Sequence, residues 1–278
     1  MKPKQTITNA DRDGGVNVLV LAASRSGAAD SVARLQDKSN KCLVEIGGRP
    51  MIEIVVGAIL ATGLSRKVYI SIEPGVLPGG LPQLGKWLQQ DRVRLVPSCD
   101  NLAASVLAAA QGEEMLPLVV TTGDNALHGP EIVADFIGQF LAGGGDVGVG
   151  LTEERDVAGE FPDSGLFWHR MKDGNYSACN LYGLRNARAL KAVDVFAGGG
   201  QFGKRHWRIL KAFGIMPFVY YKLRVMTAAQ LMRRIGKNLG VTIDTIMLPY
   251  AGGPIDVDNP ASFALTERTL LARGAGRA

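Results

Sequence analysis

Cysteine and histidine are scarce in this chain, three of each among 278 residues. Cys42, Cys99 and Cys179 show no CxxC spacing and the histidines are as dispersed, so neither a disulfide framework nor a zinc cluster is expected. A reducing cytoplasm is the default compartment. No apolar run reaches the roughly 18 residues that a membrane-spanning helix needs. Residues 1–15 are polar, read as a mobile tail, and hold no apolar stretch of the kind that marks a secretory signal. No G-x-G-x-x-G follows the first apolar run, which disfavours a Rossmann dehydrogenase, and the lack of G-x-x-x-x-G-K-S/T disfavours a Walker-type kinase.

Acidic residues are missing from one long stretch. Between Asp194 and Asp244 there is no Asp or Glu, while nine cations fall there: Lys204, Arg205, Arg208, Lys211, Lys222, Arg224, Arg233, Arg234 and Lys237. The formal net charge of +5 therefore belongs to this segment, and the remainder is net acidic. The segment also carries an apolar run from Ala212 to Tyr221, too short to span a bilayer. It reads as a buried helix pair with a solvated cationic face. The alternative is an interfacial element whose 204–237 cations face anionic headgroups, which would add a peripheral membrane position to the cytoplasmic one. No nucleic-acid-binding module signature is present, and no nucleic acid partner is expected.

What remains is an ordinary globular composition, 46% hydrophobic and 21% charged, which argues against global disorder. Apolar strand-like runs at Val16–Ala22, Lys67–Ile72, Val93–Val96, Leu116–Thr121 and Asp146–Gly150 alternate with helical patterns at Met51–Thr62, Gln83–Gln90, Leu102–Gln111 and Pro130–Leu141. That alternation predicts parallel βαβ units and an α/β fold with a doubly wound, mostly parallel sheet. Further on, Gly165–Trp168, Tyr176–Leu184 and Val241–Leu248 read as strands, Ala187–Val195 and Pro260–Leu271 as helices, and the triple glycine at 198–200 as a flexible joint. One domain over 16–278 is expected, with an α-rich basic insertion at about 196–240.

The chemistry begins where the first strand ends. Ala22, Ala23, Ser24, Arg25, Ser26 and Gly27 form a loop of small and cationic residues, which lets backbone N–H groups approach an anion beside a forked Arg donor. Lys41 follows, then Leu43, the turn Gly47-Gly48-Arg49-Pro50 and an apolar helix, so the pattern is a phosphate cradle with a movable lysine. Farther along, Thr122-Gly123-Asp124 places a carboxylate after a central strand, where open α/β sheets bind ligands. Ser98, Asn101 and Ser105 gather at a helix start, where they offer hydrogen-bonding groups to a nucleobase edge; the alternative is a plain capping role for Asp100 or Asn101. Asp256 and Asp258 flank Val257 before the last helix; they are expected to diverge, so that only one faces a site.

This order of residues resembles the nucleotidyltransferases of the nucleotide-diphospho-sugar transferase fold. Their signature runs L-A-A/G-G-x-G/S-x-R, a spacer, K-x-L, then G-x-P-L/M-I. Leu21-Ala22-Ala23-Ser24, Arg25, Lys41, Leu43 and Gly48-Arg49-Pro50-Met51-Ile52 match it in order. Ser24 and Ser26 stand where glycines are usual, a departure that the molybdenum-cofactor (MobA-like) branch tolerates, and the spacer before Lys41 is a few residues longer than usual. The resemblance implies Arg25 on the leaving pyrophosphate and Lys41 on the α-phosphate, with Leu21, Ala22, Ala23, Ser24, Ser26, Gly27 and Gly123 around the nucleotide. It implies Mg²⁺ held by Asp124 and Asp258, with Asp256 in reserve, and a pyrimidine read near Ser98, Asn101 and Ser105. The implied activity is Mg²⁺-dependent transfer of a nucleoside monophosphate, CMP favoured, from a nucleoside triphosphate to a phosphorylated small molecule, for which a lipid or headgroup precursor is the candidate class. Two alternatives stand beside it. A glycosyltransferase of related fold would use D-x-D, and Gly123-Asp124-Asn125 lacks the second acid. A membrane-docked protein without catalysis would explain the altered loop, but not the retained Lys41 and Asp124.

Overall fold

The computed structural model describes residues 15–24, 26–76, 81–111, 113–196, 210 and 213–275. The first apolar run forms β1 (Val16–Leu21), with Val16, Val18, Leu19 and Val20 fully shielded from solvent, as a strand covered on both faces requires. A small ribbon, β2 (Glu45–Ile46) with β3 (Arg49–Pro50), turns through Gly47 and Gly48, whose φ values of 58° and 76° are those of a tight primed hairpin turn. Then α1 (Met51–Ala61) crosses to β4 (Ser65–Ile72), α2 (Pro82–Gln89) to β5 (Val93–Pro97), and α3 (Leu102–Ala109) returns to β6 (Leu118–Thr122). Next come α4 (Pro130–Ala142), β7 (Val147–Glu153), α5 (Glu154–Ala158), β8 (His169–Arg170) and β9 (Asn175–Leu184). The chain ends with α6 (Ile215–Leu223), α7 (Ala228–Leu239), β10 (Ile243–Met247) and α8 (Pro260–Ala275).

The sheet order is β10-β7-β9-β6-β1-β4-β5, with β8 paired to β9. All pairings are parallel except those of β9, which runs antiparallel between β6 and β7. The fold is thus the α/β, mostly parallel arrangement expected. Because β1 pairs with β4 on one side and β6 on the other, the winding direction reverses there, and the crevice opens beyond the ends of β1 and β6. Leu21 and Thr122 are register partners at that edge.

Two cores sandwich the sheet. One gathers α1 and α4 side chains such as Ile52, Val56, Ile59, Phe136 and Phe140 on the β1 face carrying Val18 and Val20. The other gathers Ala103 and Val106 of α3 with Leu19, Val120, Leu184, Ala192 and Val193. Phe140 lies so close to β9 that a Cβ on Gly183 would sit 2.5 Å from its ring, so the strand approaches the helix only because that position is glycine.

The second half departs from the sequence expectations in detail. Residues 165–168 are irregular, and the short strand begins at His169; Ala187–Phe196 is a 3₁₀ helix rather than an α-helix. The described part of the basic segment is indeed helical, with α7 started by a reciprocal Thr227–Gln230 capping box. The 1–14 stretch, Arg25, the triple glycine, and Lys204, Arg205, Arg208 and Lys211 lie outside the described residues. Among the described residues no helix is long and apolar enough to cross a membrane.

Candidate active site

Lys41 stands in a short 3₁₀ turn (Lys41–Leu43) that is positioned from below by Asn40. The buried Asn40 amide donates to the Ala22 carbonyl at 2.9 Å, and its oxygen accepts the Cys42 N–H at 2.8 Å. This ties the lysine turn to the end of β1. Across the crevice, Gly123 packs against the same turn: a Cβ there would meet Cys42 Sγ at 2.9 Å and Ala22 Cβ at 3.2 Å. Glycine therefore lets the β6 loop close down on β1, and the next residue, Asp124, is delivered to Lys41.

The Lys41 ammonium lies 2.5 Å from Asp124 Oδ2 and 2.9 Å from Asp258 Oδ1, with the Val257 carbonyl at 3.3 Å. Thr122 Oγ1 donates to the other Asp124 oxygen at 2.5 Å, and the Val257 N–H donates to the Asp124 carbonyl at 3.0 Å. Burial works to depress the Lys41 pKa, but the Asp124 and Asp258 charges outweigh it and hold the ammonium above the usual lysine range.

Asp256 also reaches the crevice, so the expectation that only one of the two acids faces it is corrected. Alternate residues of an extended segment share a face, and Val257 between them points the other way into a buried cluster with Val32, Ile46 and Met51. Burial first, and then the charges of Asp258 and Asp124, push the Asp256 carboxyl above the ordinary carboxylate range. Asn180 donates to it at 3.3 Å from a bulged stretch of β9, where its φ of 50° is left-handed.

The three carboxylates line a cavity of about 430 Å³, and Lys41 reaches Asp124 and Asp258 from outside its wall. Leu21, Thr122, Asp124, Asp256 and Asp258 lie along it, with Leu102 and Val106 of α3 on one side and Asn180 and Tyr182 of β9 on another. Of the base-reading candidates, Asn101 caps α3 by accepting the Ala104 N–H at 2.9 Å, and buried Ser105 accepts the Cys99 N–H at 2.9 Å. Ser98 is half-buried at the end of β5, and its N–H donates to the Ile72 carbonyl at 3.0 Å.

In the β1 loop, Ala22 is buried while Ala23 and Ser26 are exposed; Gly27 has a φ of 51° and donates to Ser24 Oγ at 3.0 Å. The Ser24 N–H donates at 2.6 Å to Glu73, whose other oxygen takes the Asn40 amide at 3.3 Å. An anion thus already sits at the loop. Asn40, Glu73 and Asn180 escaped the sequence reading, and Thr122 entered it only as part of the motif around Asp124. Asn40 carried one usable signal, an Asx residue immediately before the motif lysine.

For Mg²⁺, the donor chemistry fits. Two carboxylate oxygens converge on one point now held by an ammonium, and hard oxygen donors suit that ion. Among the described residues no group of three or more His, Cys, Asp or Glu side chains is arranged as a metal cluster.

Residues 18–231 match the MobA-like NTP transferase domain, and the chain belongs to that family of nucleotidyltransferases. It is 27% identical over 149 residues to a 2-C-methyl-D-erythritol 4-phosphate cytidylyltransferase of Nocardia farcinica, a match covering 49% of this chain and 56% of that protein. The chain thus spans little more than half of that curated relative. Among solved structures, a hypothetical transferase from Thermus thermophilus superposes with a TM-score of 0.70 at 22% identity, covering 90% of this chain and 99% of its own. A CMP:2-keto-3-deoxy-manno-octonic acid synthetase complexed with CTP gives 0.59 at 14% identity, covering 93% and 99%. These two likenesses are of fold.

Proposed function

We propose that this protein transfers a nucleoside monophosphate, with CMP favoured, from a nucleoside triphosphate to a phosphorylated small molecule, releasing pyrophosphate. What supports it is the convergence of Lys41, Asp124 and Asp258 at the switch point of the sheet, beside a cavity of about 430 Å³. The acceptor phosphate attacks the α-phosphorus in line, and the leaving group departs on the opposite side. Little covalent chemistry is asked of the protein, which has to position two anions and neutralise the charge that develops between them. Lys41 releases a carboxylate to meet the α-phosphate, Arg25 holds the pyrophosphate, and the loop N–H groups from Ala22 to Gly27 follow the phosphate chain. Asp124 and Asp258 would hold Mg²⁺, which would supply charge screening at the α-phosphate. Gly123 keeps the crevice narrow, and Ser98, Asn101 and Ser105 with Leu102 and Val106 form the side on which a pyrimidine is read. CTP is favoured because similar proteins are a cytidylyltransferase and a synthetase solved with CTP.

Thermal stabilisation by CTP, GTP, UTP and ATP with Mg²⁺ tests this, because a ligand bound only to the folded state raises its stability by mass action. The expected result is a shift with CTP, reduced in Asp124→Ala and Lys41→Ala. No shift with any nucleotide refutes it.

A peripheral membrane position is a second, separable proposal. On α6, Ile215 and Leu223 are 66% and 65% exposed and Met216 and Val219 lie on the same outward side, with Lys222 and Arg224 beside them. An acceptor that is a lipid-headgroup precursor would accord with that position. Equal liposome co-sedimentation of wild type and a Lys222/Arg224/Arg233/Arg234 charge-removal variant would sink it.

A further inference from the structure

The crevice does not end at the acidic residues. Along β9 it adjoins a second cavity of about 170 Å³, and His169, Ala178, Tyr182, Leu184 and Val193 line both. Beyond that boundary the walls change character. The second cavity is roofed by α6 and α7 through Pro217, Leu231, Met232 and Ile235 and floored by Val149 and Leu151 of β7, so its surface is apolar almost throughout. At the junction His169 Nδ1 and the Tyr221 hydroxyl lie 3.1 Å apart.

Protein interiors hold few voids larger than a water molecule, because lining atoms without neighbours forfeit dispersion contacts. An apolar void of about 150 Å³ stays dry and accepts a benzene-sized guest. This one meets the cavity of the crevice along β9, at Ala178, Tyr182 and Leu184. A molecule whose phosphate reaches Lys41 from that direction must lay its other end along Tyr182 and His169.

We infer that the acceptor is an amphipathic phosphomonoester, whose phosphate lies near Lys41 and whose hydrocarbon end, about six carbons in extent, fills the cavity under α6 and α7. This rests on the transferase reading above and narrows its substrate class. It also accounts for the acid-free segment, whose two described helices supply the roof of an acceptor pocket.

Calorimetric titration of the full chain with ethyl, butyl, hexyl, octyl and decyl phosphate, with and without a non-hydrolysable CTP analogue and Mg²⁺, tests the inference. Affinity is expected to rise about fourfold per methylene over the lengths at which the chain enters the cavity, and then to level off. Met232→Trp and Ala192→Phe, which narrow the cavity, should flatten the rise while leaving CTP-analogue binding unchanged. Affinity independent of chain length overturns the inference, as does the same rise in both folded variants. If neither variant folds, the wild-type series decides alone. Levelling within the series supports the pocket, and an unbroken rise through decyl phosphate, the signature of surface partitioning, refutes it. Failure of the CTP analogue to bind would strike the transferase reading instead, since the chain-length series without nucleotide still reads the cavity.

Discussion

Lys41 Nζ lies 2.5 Å from Oδ2 of Asp124, and the two side chains are only 16% and 12% exposed. A pair this withdrawn from water is costly to break from one side, because the remaining charge stays buried. Lys41→Met should lower unfolding stability by about 3 kcal/mol in urea titrations. Millimolar Mg²⁺ should restore more of that loss than it adds to wild type, since the variant leaves two carboxylates facing an unfilled point. Equal Mg²⁺ effects on both proteins would show that the acids do not form a cation site.

The two carboxylates should not be equivalent. Asp124 is fixed by Thr122 and by the Val257 N–H, whereas the Asp258 side chain is 53% exposed. A rigid, shielded ligand contributes more than a mobile, hydrated one. Asp124→Asn is expected to weaken Mg²⁺-dependent CTP binding by tenfold or more, about 1.4 kcal/mol, and Asp258→Asn by only a few-fold. Titration of CTP at fixed Mg²⁺ checks the order, and a reversed order would place the cation nearer Asp258.

Glu73 supplies a test of the phosphate loop. Its carboxylate takes the Ser24 N–H at 2.6 Å, so it competes with any phosphate for that donor. Removing the charge with Glu73→Gln should tighten nucleotide binding by roughly three- to tenfold, because charge-assisted bonds to N–H donors are about twice as strong as neutral ones. Weaker binding in the variant would mean that Glu73 holds the loop in shape rather than occupying it.

How much of this was legible in the sequence follows from which interactions are local. β1 and β6 announce themselves as largely apolar runs, broken in β1 only by Asn17, and Lys41 and Asp124 stand at motif positions, so the end of β1 and the carboxylate after β6 could be read directly. The antiparallel insertion of β9 between β6 and β7 could not, because strand pairing joins residues far apart, as Val119 with Gly183. Asn180 became visible only with its bulge. Glu73 gave no local signal, and only the fold carries it back to Ser24 across 49 positions. The divergence assigned to Asp256 and Asp258 failed for a simpler reason: residues two apart on an extended chain look the same way.

One carboxylate ties together the strands at the β10 end of the sheet. Asp146, just before β7, accepts from Asn186 Nδ2 at 2.8 Å and from both the N–H and hydroxyl of Thr242 at 2.9 Å, thereby joining the ends of β9 and β10 to β7. The Asn186 bond first, then the Thr242 backbone bond, hold its carboxyl below the ordinary range. Because the folded form favours the ionised acid, the stabilisation is fully present above the unfolded carboxylate's pKa of about 4 and fades as pH falls through the lower folded value. Asp146→Asn should therefore cost about 2 kcal/mol at neutral pH, the scale of hydrogen bonds to a charged group. The gap to wild type should shrink as unfolding is followed from about pH 5 downward. A gap that stays constant over that range would assign the loss to packing and leave the carboxylate's charge without a role in joining the three strands.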